Sequence, residues 1–301
     1  MSRIKNIYMA GAGGMLGLAF YKEFKDHYNL KCSDIDINEE WLSYLDFCDY
    51  NAYKKEVTDF NAEWLFHIGA LTDLEYCELN IEKTYLTNTK SVEHAVKIAN
   101  HLSIPLLYIS TAGIFGGEKD LYDEIDKPNP LSHYGRSKYE GEVYVKNNSN
   151  NYIICRAGWM MGGGEKKDKK FIQKIIKQIK SDKKTLYIVD DKLGTPTYTH
   201  DFAKNTKILI ESEHRGLFNM VCDGLTSRYE VAIELISLLG LKNKINIEKV
   251  SSDYFINEYF AKRPDCERLV NKHLNDLKLN IMRDWRVALK DYLNEYYNLI
   301  L

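Results

Sequence analysis

The sequence predicts an α/β protein: a Rossmann-like, doubly wound parallel sheet with a smaller, mostly helical C-terminal part. A short apolar run at residues 4–10 passes directly into the glycine-rich turn Gly11-Ala-Gly-Gly14-Met-Leu-Gly17. An amphipathic stretch follows, with Leu18, Phe20, Tyr21, Phe24 and Tyr28 at helical spacing. Strand-like runs and helix-like stretches then alternate through the first half of the chain, which is the pattern of a parallel sheet covered by helices.

Composition narrows the function. The chain has 301 residues, 28% of them charged and 45% apolar, as in an ordinary globular protein with ample core. Lys+Arg 41 against Asp+Glu 43 leaves a formal charge of -2, so no overall basic surface invites nucleic acid. The Lys-rich segment 165–184 reads as a solvated helix face. The six cysteines are scattered without a C-x-x-C pair, which argues against a metal site or a disulfide framework. No signal peptide precedes the first strand and no run of about 18 apolar residues occurs, so a reduced cytoplasmic protein, not a membrane protein, is expected.

Each element follows in order. Glycine lets the backbone approach a pyrophosphate, and the helix N-terminus beyond it offers unpaired N–H groups and a positive dipole end. A second strand over 30–34 ends in Asp34, where a carboxylate accepts the adenosine ribose hydroxyls and repels a 2′-phosphate. NAD is favoured over NADP on that carboxylate. Asp36 competes for the role, and either acid would otherwise cap a helix over 37–46. After 51–59, a third strand over 64–68 ends in Gly69-Ala70-Leu71-Thr72, where open α/β sheets bind ligands. A helix over 90–101 carries Val92, Ala95, Val96 and Ala99 on one stripe, and a fourth strand over 105–110 delivers Thr111.

Tyr134-Gly-Arg-Ser-Lys138 places a phenol and an ammonium one helical turn apart, so that the cation can favour the phenolate. A hydroxyl from Thr111 can then hold a carbonyl or alcohol oxygen beside the phenol. With 22 Tyr in a Lys-rich chain this spacing alone is common, and its meaning comes from context. Further on lie a strand over 152–155 ending at Arg156 and a glycine-rich loop at 162–164 with EKKDKK after it. That loop reads as surface, the alternative being a lid whose lysines meet a diphosphate. A helix over 171–180, a strand over 186–189, a turn at 194–196, a helix over 200–211 and a last sheet strand over 216–221 follow. From 223 the chain is helical with a short strand near Ile245. The expected division is a nucleotide-binding part at 1–158 plus about 198–222, and a substrate-binding part at about 159–197 plus 223–301.

Gly11/Gly14/Gly17, the strand-end Asp34, STAGIFGG at 110–117 and Tyr134-x-x-x-Lys138 resemble, in this order, the extended short-chain dehydrogenase/reductase family. Within it the chain is most similar to the dTDP-4-dehydrorhamnose reductase branch, through ALTDLEYCE at 70–78, NTKSVEHAVKIAN at 88–100, Arg156-Ala-Gly-Trp159, VDDKLGTPTYTHDFA at 189–203, GLFNMVCDG at 216–224 and Arg263-Pro264. The resemblance covers nearly the whole chain. It implies that Gly11, Gly14, Met15 and Leu16 lie at the pyrophosphate, that Asp34 holds the ribose, and that Glu56 and Val57 sit beside adenine. Ala70, Leu71 and Thr72 would line the cofactor, NAD(H) or NADP(H), and Asn88 would be a structural polar residue. Tyr134 would protonate the sugar C4 oxygen, Lys138 would bind the nicotinamide ribose and lower the phenol's pKa, and Thr111 would hold the reacting oxygen. Ala112, Trp159 and Arg263 join the substrate side; the planar fork of Arg263 suits phosphate oxygens, with an ion pair as its alternative. The implied activity is reduction of a nucleotide-linked 4-keto-6-deoxysugar in deoxysugar or polysaccharide precursor biosynthesis. An epimerase or dehydratase of the same family and a non-catalytic NADP-binding regulatory subunit are the alternatives. The resemblance also allows a homodimer paired through helices flanking the sheet. Two departures fall on the sugar side. Ala112-Gly113 stands where the reductases carry an acid and an aromatic, and Asp265-Cys266-Glu267 stands where they carry Xaa-Asn-Ser.

Overall fold

In the computed structural model, which describes residues 5–297, the first apolar run is strand β1 (Asn6–Ala10) and the glycine turn leads into α1 (Met15–Phe24). Ile4 and the outer limits of the expected two-part division lie outside the described residues. Next come β2 (Asn29–Asp34), β3 (Leu42–Tyr44), α2 (Tyr50–Asp59), β4 (Trp64–His67), α3 (Leu74–Leu79) and α4 (Ile81–Tyr85). A π-helical turn over Leu86–Lys90 opens α5 (Ser91–Leu102), and β5 (Leu106–Thr111), α6 (His133–Asn148) and β6 (Tyr152–Ala157) follow. The second half holds β7 (Trp159–Met161), α7 (Gly164–Lys167), α8 (Phe171–Lys180), β8 (Thr185–Val189), β9 (Leu193–Gly194), β10 (Pro196–Tyr198), α9 (Thr199–Glu211) and β11 (Gly216–Asn219). It ends with β12 (Thr226–Ser227), α10 (Arg228–Leu238), β13 (Asn246–Val250), α11 (Lys272–Asp276) and α12 (Trp285–Tyr297).

Seven strands form one sheet in the order β11-β6-β5-β4-β1-β2-β3, every neighbouring pair parallel. Strand order reverses between β1 and β4, and that switch point opens a crevice at the carboxyl ends of both strands. Parallel strands covered on both faces must be apolar throughout, and Ile7 to Ala10 and Trp64 to His67 are all buried. One core layer holds Phe20, Phe24 and Phe66 with the faces of α1, α9 and α12; the other packs Tyr8, Tyr53 and Leu65 against α2 and α5. Beside the sheet, β7 pairs with β10, β9 with β12 and β8 with β13, so segments far apart in sequence close the second half.

The helix weighed over 37–46 is not formed. Leu42, Ser43 and Tyr44 pair with Cys32, Ser33 and Asp34, which adds a seventh strand at the sheet edge. The preceding Trp41 stacks on Tyr21 of α1 with centroids 4.1 Å apart. Edge pairing and this stack hold the segment extended over its helical alternative. Among the described residues no helix is long and apolar enough to cross a membrane, and no cluster of His, Cys, Asp and Glu could hold a metal.

Candidate active site

Two glycines make the crevice. Gly11 has φ +78, which glycine adopts freely, and a Cβ there would run into the backbone of Gly69. The turn closes as Gly11 N–H and Ala12 N–H donate to Ser33 O at 2.8 and 2.9 Å. Asp34 fits because Gly13 lacks a side chain: its Oδ2 accepts from Gly13 N–H at 2.8 Å and its Oδ1 from Asp36 N–H at 3.0 Å. Gly14 caps α1 without a side-chain acceptor and open space lies where its Cβ would be, so the first N–H groups of α1 remain available to a phosphate. Met15 and Leu16 are buried beneath the turn. This cradle fits the pyrophosphate of a dinucleotide.

Across the crevice, buried Asn88 clamps the loop after β4. Its Oδ1 accepts from Leu71 N–H at 2.8 Å, and its Nδ2 donates to Leu71 O at 2.9 Å and to Ser137 Oγ at 3.2 Å. A π-helical turn places this side chain, and such turns recur at functional sites. Ala70, Leu71 and Thr72 therefore stand at the cleft in a fixed register with α6.

Glu56 and Val57 lie elsewhere. Val57 is wholly buried in the core and Glu56 pairs with Lys31 at 2.6 Å. The helix α2 that carries them ends where Phe60 O and Asn61 O accept from Asn6 Nδ2, at the amino edge of the sheet and away from the crevice. The acid and apolar residue that follow β3 are Asp46 and Phe47, and the Phe47 ring packs against Gly11 and Gly69.

Thr111 ends β5, and its Oγ1 accepts from Gly113 N–H at 3.1 Å. Ser132 caps α6 by accepting from Gly135 N–H at 3.2 Å, and Gly135 has no side chain to hold it off the Gly113 carbonyl. That close approach sets the Tyr134 ring and the Thr111 hydroxyl on either side of Gly113, each 3.5 Å from where a Cβ on that glycine would be. Burial pushes the phenol up to about 12; Thr111 draws it down, and the Glu267 carboxylate opposes its ionisation. Lys138 is buried, its Nζ 4.3 Å from the centroid of the Tyr108 ring. Burial pulls its ammonium down to about 7 against the favourable field of Glu142. The ammonium rests over Tyr108 and makes no side-chain hydrogen bond among the described residues.

On the substrate side the expectations shift. Ala112 is wholly buried among Ile114, Phe115 and Tyr122 and lines nothing; Gly113 is the residue against Tyr134. Arg263 is engaged by Glu75, donating from both terminal nitrogens at 2.8 Å, so the ion pair holds its fork. The Trp159 ring is seated on Gly194, Arg228 lies 3.6 Å from its centroid, and Nε1 donates to Glu267.

The lysine-rich segment is only partly a solvated face. Lys167 is buried and donates to Gly13 O at 2.8 Å and to Asn38, while Lys170 donates to Thr72 Oγ1 at 2.8 Å. Both lysines thus tie the loop after β7 to the two sides of the crevice. Phe47 and Arg228 are residues around the crevice that sequence reasoning did not single out, while Lys167 and Lys170 lie in the run weighed only as a lid alternative to a surface loop. Glu267 had a signal, as a departure from the reductase pattern, and Lys167 and Lys170 had only their place in a glycine-rich loop.

A sequence model of the RmlD substrate binding domain matches residues 5–298. The spore coat polysaccharide biosynthesis protein SpsK of Bacillus subtilis is 26% identical, covering 96% of this chain and 97% of its own. Among solved structures, a dTDP-4-dehydrorhamnose reductase from Yersinia enterocolitica is 31% identical with a TM-score of 0.87, over 97% of this chain and 99% of that one. A dTDP-4-dehydrorhamnose reductase from Bacillus anthracis, in complex with NADP, is 25% identical with a TM-score of 0.89, over 97% and 100%.

Proposed function

Because this chain belongs to the RmlD substrate binding domain family, we propose that it is an NAD(P)H-dependent reductase of a nucleotide-linked 4-keto-6-deoxysugar. The observation that carries this reading is that Thr111 Oγ1 and the Tyr134 ring flank Gly113, each 3.5 Å from where its Cβ would be, at the carboxyl edge of the sheet and beside the cradle for a dinucleotide. When bound, the nicotinamide supplies the hydride. Gly11, Gly14, Met15 and Leu16 hold the pyrophosphate, Asp34 the adenosine ribose, and Ala70, Leu71 and Thr72 the middle of the cofactor. Thr111 fixes the sugar oxygen, Tyr134 gives that oxygen its proton, and Lys138 holds the ribose next to the phenol. The seven-stranded sheet with its flanking helices serves the cofactor, and the segments 159–197 and 223–297 serve the sugar.

Asp34 favours NAD, since a carboxylate at the end of β2 repels a 2′-phosphate. The reading is tested by oxidation of NADH and NADPH with dTDP-, GDP- and UDP-linked 4-ketosugars. Turnover of one sugar establishes the reductase and names its substrate. Tight cofactor binding with no oxidation by any of them overturns it in favour of a redox-neutral epimerase or a regulatory subunit.

A further inference from the structure

Glu267 is set in the site by the backbone on both sides of it. Leu193 N–H donates to Asp265 O at 2.8 Å and Glu267 N–H to Leu193 O at 2.9 Å, which fastens the segment to β9. On its other side the segment packs on the loop that leaves Thr111: a Cβ on Gly117 would stand 2.9 Å from Asp265 N, and Cys266 Sγ donates to Asp120 O at 3.1 Å. The segment therefore packs on residues 117–120 of the loop that leaves Thr111, and from there the Glu267 carboxylate opposes ionisation of the Tyr134 phenol.

Its partners leave one oxygen unused. Trp159 Nε1 donates to Oε1, and among the described residues Oε2 receives no hydrogen bond. The nearby cations do not claim it. Arg263 is taken by Glu75, and Lys192 pairs with Asp265 at 2.6 Å. Arg228, at the start of α10, lies over the Trp159 ring and 4.8 Å from the centroid of Phe171, and makes no side-chain hydrogen bond among the described residues. Glu267 is half-buried, so this oxygen stays accessible and can accept from a ligand hydroxyl in place of water. Trp159 itself is covered by Gly194 and Arg228, so the group it presents toward the sugar is the acid it holds.

We infer that Glu267 reads the sugar: Oε2 accepts a hydrogen bond from a hydroxyl on the ring carbon beside the reacting carbonyl, with Trp159 and Arg228 as positioning residues. This rests on the reductase reading. Burial raises the Glu267 carboxyl, whereas the Trp159 hydrogen bond and the charges of Arg228, Arg263 and Lys192 lower it. The Tyr134 phenol on α6 and the neighbouring Cys266 thiol are further titratable groups on which this carboxylate acts. The accepting form is the carboxylate, so sugar binding weakens as pH falls through this ionisation.

The test compares wild type, Glu267→Ser, Glu267→Gln and Arg228→Met on the 4-ketosugar and on its analogue lacking the C3 hydroxyl. Dinucleotide affinity is followed in parallel to report folding. Wild type should favour the hydroxylated sugar by about ten- to a hundredfold in KM, and Glu267→Ser should lose that preference. The acid limb of sugar binding should vanish in Glu267→Gln and move to higher pH in Arg228→Met, which has lost a cation that favours the carboxylate. Equal preference in wild type and Glu267→Ser, or an acid limb that persists in Glu267→Gln, overturns the inference. If wild type reduces no sugar, calorimetric binding of the same two nucleotide sugars to the dinucleotide complex carries the same comparison. Failure of the reductase reading is thereby separated from failure of this one.

Discussion

Lys138 shows how a single side chain links site and stability. Its ammonium is buried and pulled down to about 7, whereas the unfolded chain holds that proton up to the ordinary lysine value of 10.5. Between those two values the unfolded state binds more protons, so stability rises with pH there and the burial cost is full below about pH 7. Replacement by Met should therefore stabilise the protein at pH 7 by roughly 1–3 kcal/mol in urea titrations, an advantage that shrinks toward pH 10. An advantage independent of pH would show that packing, not charge, sets the difference. The Tyr134→Phe variant removes a proton donor and little volume, so turnover should fall by about a hundredfold or more while dinucleotide affinity stays within a few-fold. Unchanged turnover in that variant would remove Tyr134 from the chemistry.

Among the elements, the strongly periodic ones were legible. The helix over Phe171–Lys180 falls on its expected limits, and the strands before Gly11, Gly69 and Thr111 lie within a residue or two of theirs. Their apolar residues repeat with one period and end at glycine, proline or a cap. The strand over Leu42–Tyr44 was not legible, because a three-residue edge strand has no repeat to read and its conformation comes from partners in β2 and α1. Without that strand the acid and apolar residue expected beside adenine were read at Glu56 and Val57 in α2, one element beyond Asp46 and Phe47, which directly follow β3. Similarly, Lys167 and Lys170 belong to a lysine-rich run whose inward and outward members differ only in three dimensions. Phe47→Ala should weaken dinucleotide binding by about tenfold, through lost packing on Gly11 and Gly69, and Glu56→Ala should leave it unchanged. Fluorescence titration with NADH distinguishes the two, and the opposite result would restore the displaced assignment. At the other end of the chain Ser227 caps α10 with a reciprocal capping box to Glu230, so Ser227→Ala should cost about 1 kcal/mol in thermal denaturation.

For the whole molecule, the decisive property is how often the two halves cross. Asn219 of β11 donates to Val270 O, Val221 N–H to Asn271, and Tyr292 of α12 to Asp168, which anchors the loop bearing Lys167 and Lys170. Trp285, Leu289, Tyr292 and Leu293 are wholly buried in the same core layer as Phe20 and Phe66. A fragment ending at residue 222 should consequently lack a cooperative thermal transition and bind no dinucleotide; a sharp transition in that fragment would show that the sheet stands alone. The tie between Tyr292 and Asp168 also orders events in time. On a ribosome the glycine turn is made early, yet the core layer behind it stays open until the last helix emerges. Nascent chains therefore expose this apolar layer for most of their synthesis, at about 5–20 residues per second. A crevice completed by so late a helix is one in which the walls on both sides become firm together, once α12 has packed.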